Sequence, residues 1–387
     1  MNTVEVSFVL PCLNEAQTLE GCLHAALRCI DANRLSAEII VADNGSSDGS
    51  QDLARRCGAR VMEVKEKGYG SALRGGIDAA RGRFIVMADS DQSYDLSAAM
   101  PFIERLRAGD ELVMGTRFGK GRIMPGAMPL KHRYFGNPVL SWIGRTFFSC
   151  PIRDFHCGLR AFRKDAYARW DPKSTGMEFA TEMVIKATLR GARICEVPVT
   201  LYKDARNRPP HLRSWRDGWR HLRFMFCLSP RWTLLLPGAA VFVAGAVLGL
   251  LVGFAPLRIG TVTLDLHALV AASLMMIVGY QWVTAAVAMR IFALTSEIGP
   301  PSPTHARLFR VFTLERALIV GNLMLVAGMA TIGRIVVQWA ASGFGALDVT
   351  ATMRPMILGA TLAALGVQTV LMSFVYSMMG RLRDGRP

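Results

Sequence analysis

Apolar and polar positions come in short alternating blocks over the first 230 residues and change character after them. Positions 6–10 form a short apolar run closed by Pro11, the pattern of a buried strand. Asn14, with Gln17 three residues later, predicts a helix start, and Leu19, Leu23, Leu27 and Ile30 continue it at helical spacing. Strands are predicted at 38–42, 60–64, 84–88 and 112–115, and helices at 48–57, 70–80 and 96–107. Strands alternating with helices predict an α/β domain whose parallel sheet is covered on both faces. Ligands of such sheets bind beyond the carboxyl ends of the strands. Polar clusters follow three of these strands, at 11–15, 43–50 and 89–95, so separate segments converge on one crevice.

Beyond residue 231 the pattern is four long, nearly uncharged apolar stretches at about 232–254, 266–294, 317–341 and 355–379. Each is long enough to cross a hydrocarbon core of ~30 Å as a helix. The expected organisation is a catalytic domain over 1–212, an interfacial helix within 213–231 and a four-helix transmembrane bundle over 232–387. Trp215, Trp219, Leu222 and Phe226 recur at helical spacing with Arg216, Arg220 and Arg223 between them, which suits a helix lying on lipid headgroups. A solvated basic helix packed on its own domain is the alternative.

Composition and charge sharpen this picture. Mean hydropathy is +0.27 and 51% of residues are hydrophobic, more than a soluble domain carries, and the net charge is +15. Lys203, Arg206, Arg208, Arg213, Arg216, Arg220, Arg223 and Arg231 crowd the segment before the first apolar stretch, against Asp204 and Asp217. Such a segment is drawn to anionic lipid. No nucleic-acid recognition motif accompanies it, so nucleic acid is not expected as a partner. Arg307, Arg310 and Arg316 between stretches two and three, with Arg381, Arg383 and Arg386 in the tail, predict that the first domain and the C-terminus both face the cytosol. The eight cysteines form no Cys-x-x-Cys pair, fitting reduced, structural thiols. His156 and Cys157 lack a second ligand pair, so zinc is not expected. The span glycines Gly238, Gly245 and Gly249 suit close helix packing.

The chemistry-bearing motifs lie at the predicted strand ends. Asp89, Ser90 and Asp91 follow the fourth strand, and carboxylates two residues apart suit a hard divalent cation. A turn with capping aspartates is the plain alternative, and Asp95 caps the next helix. Asp43 can accept hydrogen bonds from a base or ribose, while Ser47 or Asp48 caps the following helix. Gly68 and Gly70 open a helix whose N–H groups either face a phosphate or permit close packing.

Taken in order, Pro11-Cys12-Leu13-Asn14-Glu15, the 43–50 loop, the 68–73 glycine loop, Asp89-Ser90-Asp91, Gly115-Thr116-Arg117, the 154–160 segment, 178–182 and Glu196-Val197-Pro198-Val199 resemble inverting GT-A glycosyltransferases of the dolichol-phosphate mannose or glucose synthase type. The resemblance covers about the first 200 residues. It implies a Rossmann-like GT-A domain, a nucleotide diphosphate sugar held by Pro11, Asn14, Glu15, Asp43, Gly70, Asp89 and Ser90, and Mg2+ or Mn2+ on Asp89 and Asp91. It further implies an acceptor phosphate met by Arg117, Lys131, His132 and Arg133, with Arg206 or Arg208 as a third phosphate ligand. The chain departs from the family pattern at 207–215, which lacks the usual Gly-x-Ser-Lys type of segment. A ligand that some synthases place two residues after the second metal aspartate would fall on Ser93, beside Gln92, and is not carried over. The catalytic candidates are Asp91, Arg117, Asp154 and Glu182, with a structural alternative for the last two: Glu182 sits on an amphipathic helix over 180–190, and Asp154 fixes the loop after it.

A polyprenyl phosphate is already an anion and needs no general base, whereas a sugar hydroxyl needs a carboxylate, for which Glu182 and Asp154 are the candidates. The expected activity is therefore transfer of a glucose- or mannose-type hexose to a polyprenyl phosphate, undecaprenyl or dolichyl, by an integral protein of a bacterial inner membrane, possible also as a homo-oligomer. Two alternatives remain open: a transferase acting on a hydroxyl of a glycolipid or polysaccharide, and a non-catalytic nucleotide-sugar-binding membrane protein. A Gln-x-x-Arg-Trp segment is absent, which counts against processive chain elongation.

Overall fold

The computed structural model describes residues 4–206, 214–295 and 313–384. The chain divides into two units, Met1–Cys227 and Leu228–Pro387. The first holds strands β1 Val6–Cys12, β2 Ala37–Asp43, β3 Arg60–Glu63, β4 Phe84–Met87, β5 Leu112–Thr116, β6 Arg122–Ile123, β7 Arg160–Arg163, β8 Ile194–Pro198 and β9 Thr200–Leu201. Its helices are α1 Ala16–Ala32, α2 Ser50–Arg56, α3 Tyr69–Ala79, α4 Met100–Arg107, α5 Asn137–Phe148, α6 Lys164–Trp170, α7 Phe179–Leu189 and α8 Ser214–Leu228.

Seven strands form one sheet in the order β3-β2-β1-β4-β7-β5-β8. Strands β1 to β4 run parallel, as does the pair β5 and β8, while β7 runs antiparallel between β4 and β5. The sheet is thus mostly parallel, with β7 its one reversed strand. Its sequence, Arg-Ala-Phe-Arg, carries no apolar run, and only neighbours from β4 and β5 make it a strand. Alternation along β1 sorts the layers. Val6, Phe8 and Leu10 join Leu19, Leu23 and Phe102 in one core under α1 and α4. On the other face α3 approaches closely: a Cβ on Gly76 would lie 2.7 Å from a Val9 methyl and 2.9 Å from Ala42. β1 extends through Pro11 to Cys12, and its register against β2 pairs Cys12 with Asp43, so both polar clusters leave the sheet at one level. The predicted 96–107 helix is a short 3-10 turn, Leu96–Ala98, followed by α4 with Pro101 in its first turn. Asp95 caps that turn through the Ser97 N–H at 2.9 Å, as expected.

The second unit contains α9 Leu236–Val252, the hairpin β10 Leu257–Ile259 and β11 Val262–Leu264, α10 Leu266–Thr295, α11 Leu314–Ala341 and α12 Val349–Asp384. Four helical segments are long and apolar enough to cross a membrane: Arg231–Val252, Leu266–Ala293, Leu314–Ala341 and Val349–Met379. Helix pairs α9/α10 and α11/α12 meet through glycines. A Cβ on Gly279 would lie 2.5 Å from the Phe242 nitrogen, and one on Gly328 2.5 Å from the Gly359 carbonyl oxygen. The two pairs are joined by polar bonds between α10 and α12: Ser273 to Thr361 at 2.6 Å, Tyr280 to Thr369 at 2.7 Å, and the Tyr376 hydroxyl to the Thr284 carbonyl at 2.7 Å. Arg354 donates to the Val252 carbonyl at 2.7 Å and pairs with Asp265. Arg334 lies on the exposed side of α11 rather than among the helix contacts. Arg307, Arg310 and Arg386 lie outside the described residues.

Candidate active site

Two loops lock together at the carboxyl ends of β1 and β2. Asn14 adopts a left-handed backbone, φ 57°. It does not cap α1. Its N–H instead donates to Ser46 Oγ at 2.8 Å, and its Oδ1 accepts from the Ser47 N–H at 2.8 Å. The first donors of the α1 end are taken by the neighbouring loop: Glu15 N–H by Ser50 Oγ at 3.0 Å and Ala16 N–H by Asp48 Oδ2 at 3.0 Å. Asp48 also accepts from the Ser50 N–H at 3.1 Å, so one carboxylate serves the starts of α1 and α2. Asp43 is buried, and its Oδ2 accepts from the Gly45 and Ser46 N–H groups and from Gln51 Nε2 at 2.9, 3.0 and 2.7 Å. Burial alone would raise its pKa, but these donors hold the carboxyl below its ordinary range.

The end of β4 is tied to β1 by Ser90, whose hydroxyl donates to the Pro11 carbonyl at 2.7 Å. Its own carbonyl accepts from Thr18 Oγ1 at 2.6 Å. Asp91 shares Arg206 with Glu15, whereas Asp89 faces Tyr69. Asp89 accepts from the Tyr69 hydroxyl at 2.9 Å, and its other oxygen lies where a Cβ on Gly158 would be. Asp91 accepts from the Ser93 N–H at 3.0 Å and hydroxyl, and pairs with Arg206. Arg206 also reaches Glu15 at 3.0 Å. The Gln92 amide points away, donating to the Thr18 carbonyl at 2.9 Å. Burial and the charge of Asp91 push the Asp89 pKa up, against the Tyr69 hydroxyl and the Arg206 and Arg160 charges. Asp91 and Glu15, held around one guanidinium, and Asp89, two residues before Asp91, are oxygen-only donors of the kind a hard divalent cation takes.

The remaining candidates take other positions. Arg117 and Asp154 form a buried fork-to-fork pair, Nε to Oδ2 and Nη2 to Oδ1 both at 2.7 Å, and the Arg117 N–H donates to Asp154 Oδ2 at 3.0 Å. Asp154 is 0% exposed, so this carboxylate anchors Arg117 and its loop rather than standing open as a base. Glu182 is also occupied. It accepts from the Lys173 and Ser174 N–H groups at 3.0 and 2.7 Å and pairs with Lys186 at 2.7 Å. Burial would raise its pKa, yet Lys186 and the two N–H groups hold it low, the opposite of a base tuned upward. Gly70 serves close packing rather than opening its helix end to a phosphate: a Cβ there would lie 2.4 Å from the Ser174 carbonyl oxygen. The neighbouring Ser71 N–H donates to the Thr175 carbonyl at 3.2 Å.

His132 and Arg133 are half-buried and Lys131 is exposed on the helical turn before α5. Burial and the charges of Lys131 and Arg117 lower the His132 pKa. Arg208 lies outside the described residues. Sequence reasoning missed Tyr69 and Arg160. Arg160 is buried and donates to the Ala180 and Cys157 carbonyls at 2.7 Å each, a partnership with no local sequence signal. His156 is half-buried with its ring against His221, and Cys157 is buried beside Tyr94.

Comparison with known proteins gives the family. The model of glycosyl transferase family 2 matches residues 7–170, and that of the glycosyltransferase family 2 C-terminal transmembrane region matches 287–380. The low-salt glycan biosynthesis hexosyltransferase of Haloferax volcanii is 32% identical over 387 residues, covering 97% of this chain and 89% of that relative. A dolichyl-phosphate hexose transferase of the same organism is 29% identical over 197 residues, 50% of this chain and 82% of its own length. Among solved structures, glucosyl-3-phosphoglycerate synthase from Mycobacterium tuberculosis shares 22% identity with a TM-score of 0.47, over 58% of this chain and 80% of that chain. With carboxylates at the β4 end of a mostly parallel GT-A sheet and spans that match the family's own membrane region, the chain belongs to glycosyltransferase family 2 and is an integral membrane glycosyltransferase.

Proposed function

We propose that this enzyme moves a glucose- or mannose-type hexose from a nucleotide diphosphate sugar to a polyprenyl phosphate at the cytosolic membrane face, with inversion. The observation that carries this reading is the occupation of both candidate bases. Asp154 is committed to Arg117, and Glu182 to Lys186 and two N–H groups. A hydroxyl acceptor would need one of them, whereas a phosphate arrives ionised. Catalysis then rests on alignment and on positive charge.

Asp89 and Asp91 would hold Mg2+ or Mn2+, which neutralises the diphosphate and stabilises it as a leaving group. Pro11, Asn14, Glu15 and Asp43 line the nucleotide end through their two interlocked loops. Lys131, His132 and Arg133 would offer the acceptor phosphate a basic strip, and Arg117, fixed by Asp154, would add a guanidinium to it. Guanidinium forks bind phosphate oxygens in pairs, which suits Arg206 to the same task once it is released from the carboxylates. Trp215, Trp219 and Phe226 of α8 are exposed beside Arg216 and Arg223, consistent with a helix that lies on the headgroups.

The test uses detergent-purified protein, Mg2+ or Mn2+, a polyprenyl phosphate and a panel of labelled nucleotide sugars, with label counted in the organic phase. Label that needs lipid, metal and Asp91, and is lost in Asp91→Ala, is the expected result. Label on a diacylglycerol or glycan, with none on the prenyl phosphate, would overturn it.

A further inference from the structure

Glu20 and His24 stand one helical turn apart on α1, and Cys57 closes the end of α2. A carboxylate oxygen, an imidazole nitrogen and the Cys57 sulfur lie within 4.8 Å of one another, and they form the one such group of three metal-ligating side chains among the described residues. Positions four apart share a helix face, so Glu20 and His24 point the same way by construction. Cys57 reaches them because α2 packs beside α1: Leu53 of α2 rests on the core that holds Leu19 and Leu23. The Cys57 N–H still donates to the Leu53 carbonyl at 3.1 Å, and the chain turns away only at Gly58, φ 79°. The sulfur is therefore carried by the end of a helix rather than by a loose loop. Among the described residues, none of the three side chains forms a hydrogen bond or an ion pair. The group lies apart from Asp89 and Asp91, and the transfer reaction gives it no part.

We propose that Glu20, His24 and Cys57 bind one divalent transition-metal ion of the zinc class, and that this ion clamps α1 to α2. The donor set makes the choice. Mg2+ and Mn2+ favour oxygen alone, whereas a thiolate beside an imidazole favours Zn2+, which also takes a carboxylate. Metal–ligand bonds of about 2.0–2.3 Å in a tetrahedron put ligand atoms about 3.5 Å apart, so atoms spaced up to 4.8 Å have only to draw in by about an ångström. Glu20 and His24 are exposed and can turn that far. On binding, the Cys57 proton passes to solvent and the thiolate takes the ion. Three protein ligands leave the fourth position to water, the pattern of an exchangeable site rather than a closed one. A solvated Glu–His pair on a helix face is the plain alternative, and it gives no part to a thiol brought in from a second helix. The two helices already share the Asp48 carboxylate at their starts. The ion would join the far end of α2 to the middle of α1, so α2 is held at both ends, together with the 43–50 loop that leads into it.

The test titrates detergent-purified, reduced, metal-stripped full-length protein with Co2+, with excess Mg2+ present to fill sites made of oxygen alone. Cobalt stands in for zinc and reports its ligands, since a thiolate on Co2+ gives a near-ultraviolet charge-transfer band and tetrahedral geometry gives strong visible bands. The sulfur band is expected to saturate at one equivalent and to be displaced by Zn2+. It should persist in Asp91→Ala and in protein carrying Cys195→Ser and Cys227→Ser, the other two thiols that are not buried. It should vanish in Cys57→Ser, and Glu20→Ala and His24→Ala should each weaken Co2+ binding by at least about tenfold. Zn2+ at about a hundred times its dissociation constant should raise the melting temperature of wild type by roughly 5 °C and leave that of Cys57→Ser unchanged. The three substitutions lie on the surface, so their melting without metal should match wild type, and loss of the band is then not loss of the fold. No sulfur band at one equivalent, or a band that survives Cys57→Ser, overturns the proposal. A band that disappears with Cys227→Ser or Asp91→Ala places the ion elsewhere and overturns it as well. A band without a zinc-dependent rise in melting temperature removes the clamp, and the proposal falls with it.

Discussion

Glu182 shows how much a residue's role depends on what surrounds it. Its carboxylate collects two backbone N–H groups and the Lys186 ammonium, and so pins residues 173–174, the stretch against which Gly70 packs. Glu182→Gln keeps the shape but loses the charge on which those bonds depend. It is expected to cost about 3 kcal/mol of stability and to retain most of the turnover, well short of the ~100-fold loss that follows removal of a base. The sign with pH follows from the direction of the shift. The folded carboxyl titrates below its unfolded value, so its stabilisation is complete above the unfolded pKa and fades as pH falls through the folded one. Melting temperatures of wild type and Glu182→Gln should differ most near pH 7 and converge below about pH 4. A gap that stays constant into acid would refute this account. That Asp89 and Asp91 leave the end of a strand was legible in the sequence, because the apolar run before them marks β4, although the pair by itself suits a capped turn as well. The engagements of Asp154 and Glu182 were not, because Arg117 lies 37 residues from Asp154 and nothing local announces the pairing.

At the scale of elements, apolar runs located β1 to β5 to within two residues, and the crevice followed from their ends, whereas β6, β7 and β9 carry no apolar run to find them by. Capping was less readable. The Asn14 and Gln17 spacing predicts a self-contained helix start, yet the donors at the start of α1 go to Ser50 and Asp48, more than thirty residues away in the chain. A sequence window sees local caps and not borrowed ones. The arrangement makes the two loops one unit, so damage to α2's loop should reach α1. Ser50→Ala removes the acceptor for the Glu15 N–H and is expected to cost about 1 kcal/mol. Because Glu15 leads α1 into the site and pairs with Arg206, the same variant should weaken nucleotide-sugar binding in a calorimetric titration, whereas Gln51→Ala, which leaves this cap intact, should not shift the Glu15 end. Equal effects from both would mean that the loop acts only through Asp43.

Across the whole molecule, hydropathy marked the four helices that, among the described residues, are long and apolar enough to span a membrane, but could not say how they associate. The expected bundle is better described as two glycine-packed pairs, α9/α10 and α11/α12, joined by hydroxyl bonds between α10 and α12. In lipid, apolar burial gives helices little reason to associate, so close backbone approach and hydrogen bonds carry the assembly. Two glycines of α11 separate these causes cleanly. A Cβ on Gly328 would press within 2.5 Å of the Gly359 carbonyl oxygen and 2.6 Å of the Ala363 nitrogen, both backbone atoms that cannot rotate aside, whereas one on Gly333 meets nothing within 4 Å. Gly328→Leu should therefore force α11 off α12 and destabilise the unit by about 1–3 kcal/mol, while Gly333→Leu, with the same gain in apolar volume and helix propensity, should stay within about 0.5 kcal/mol of wild type. Unfolding in mixed detergent, followed by the loss of helicity, reads both. If the two variants melt together, the pair is held by its flanking side chains rather than by backbone contact, and the glycines of α9 and α10 lose the same explanation.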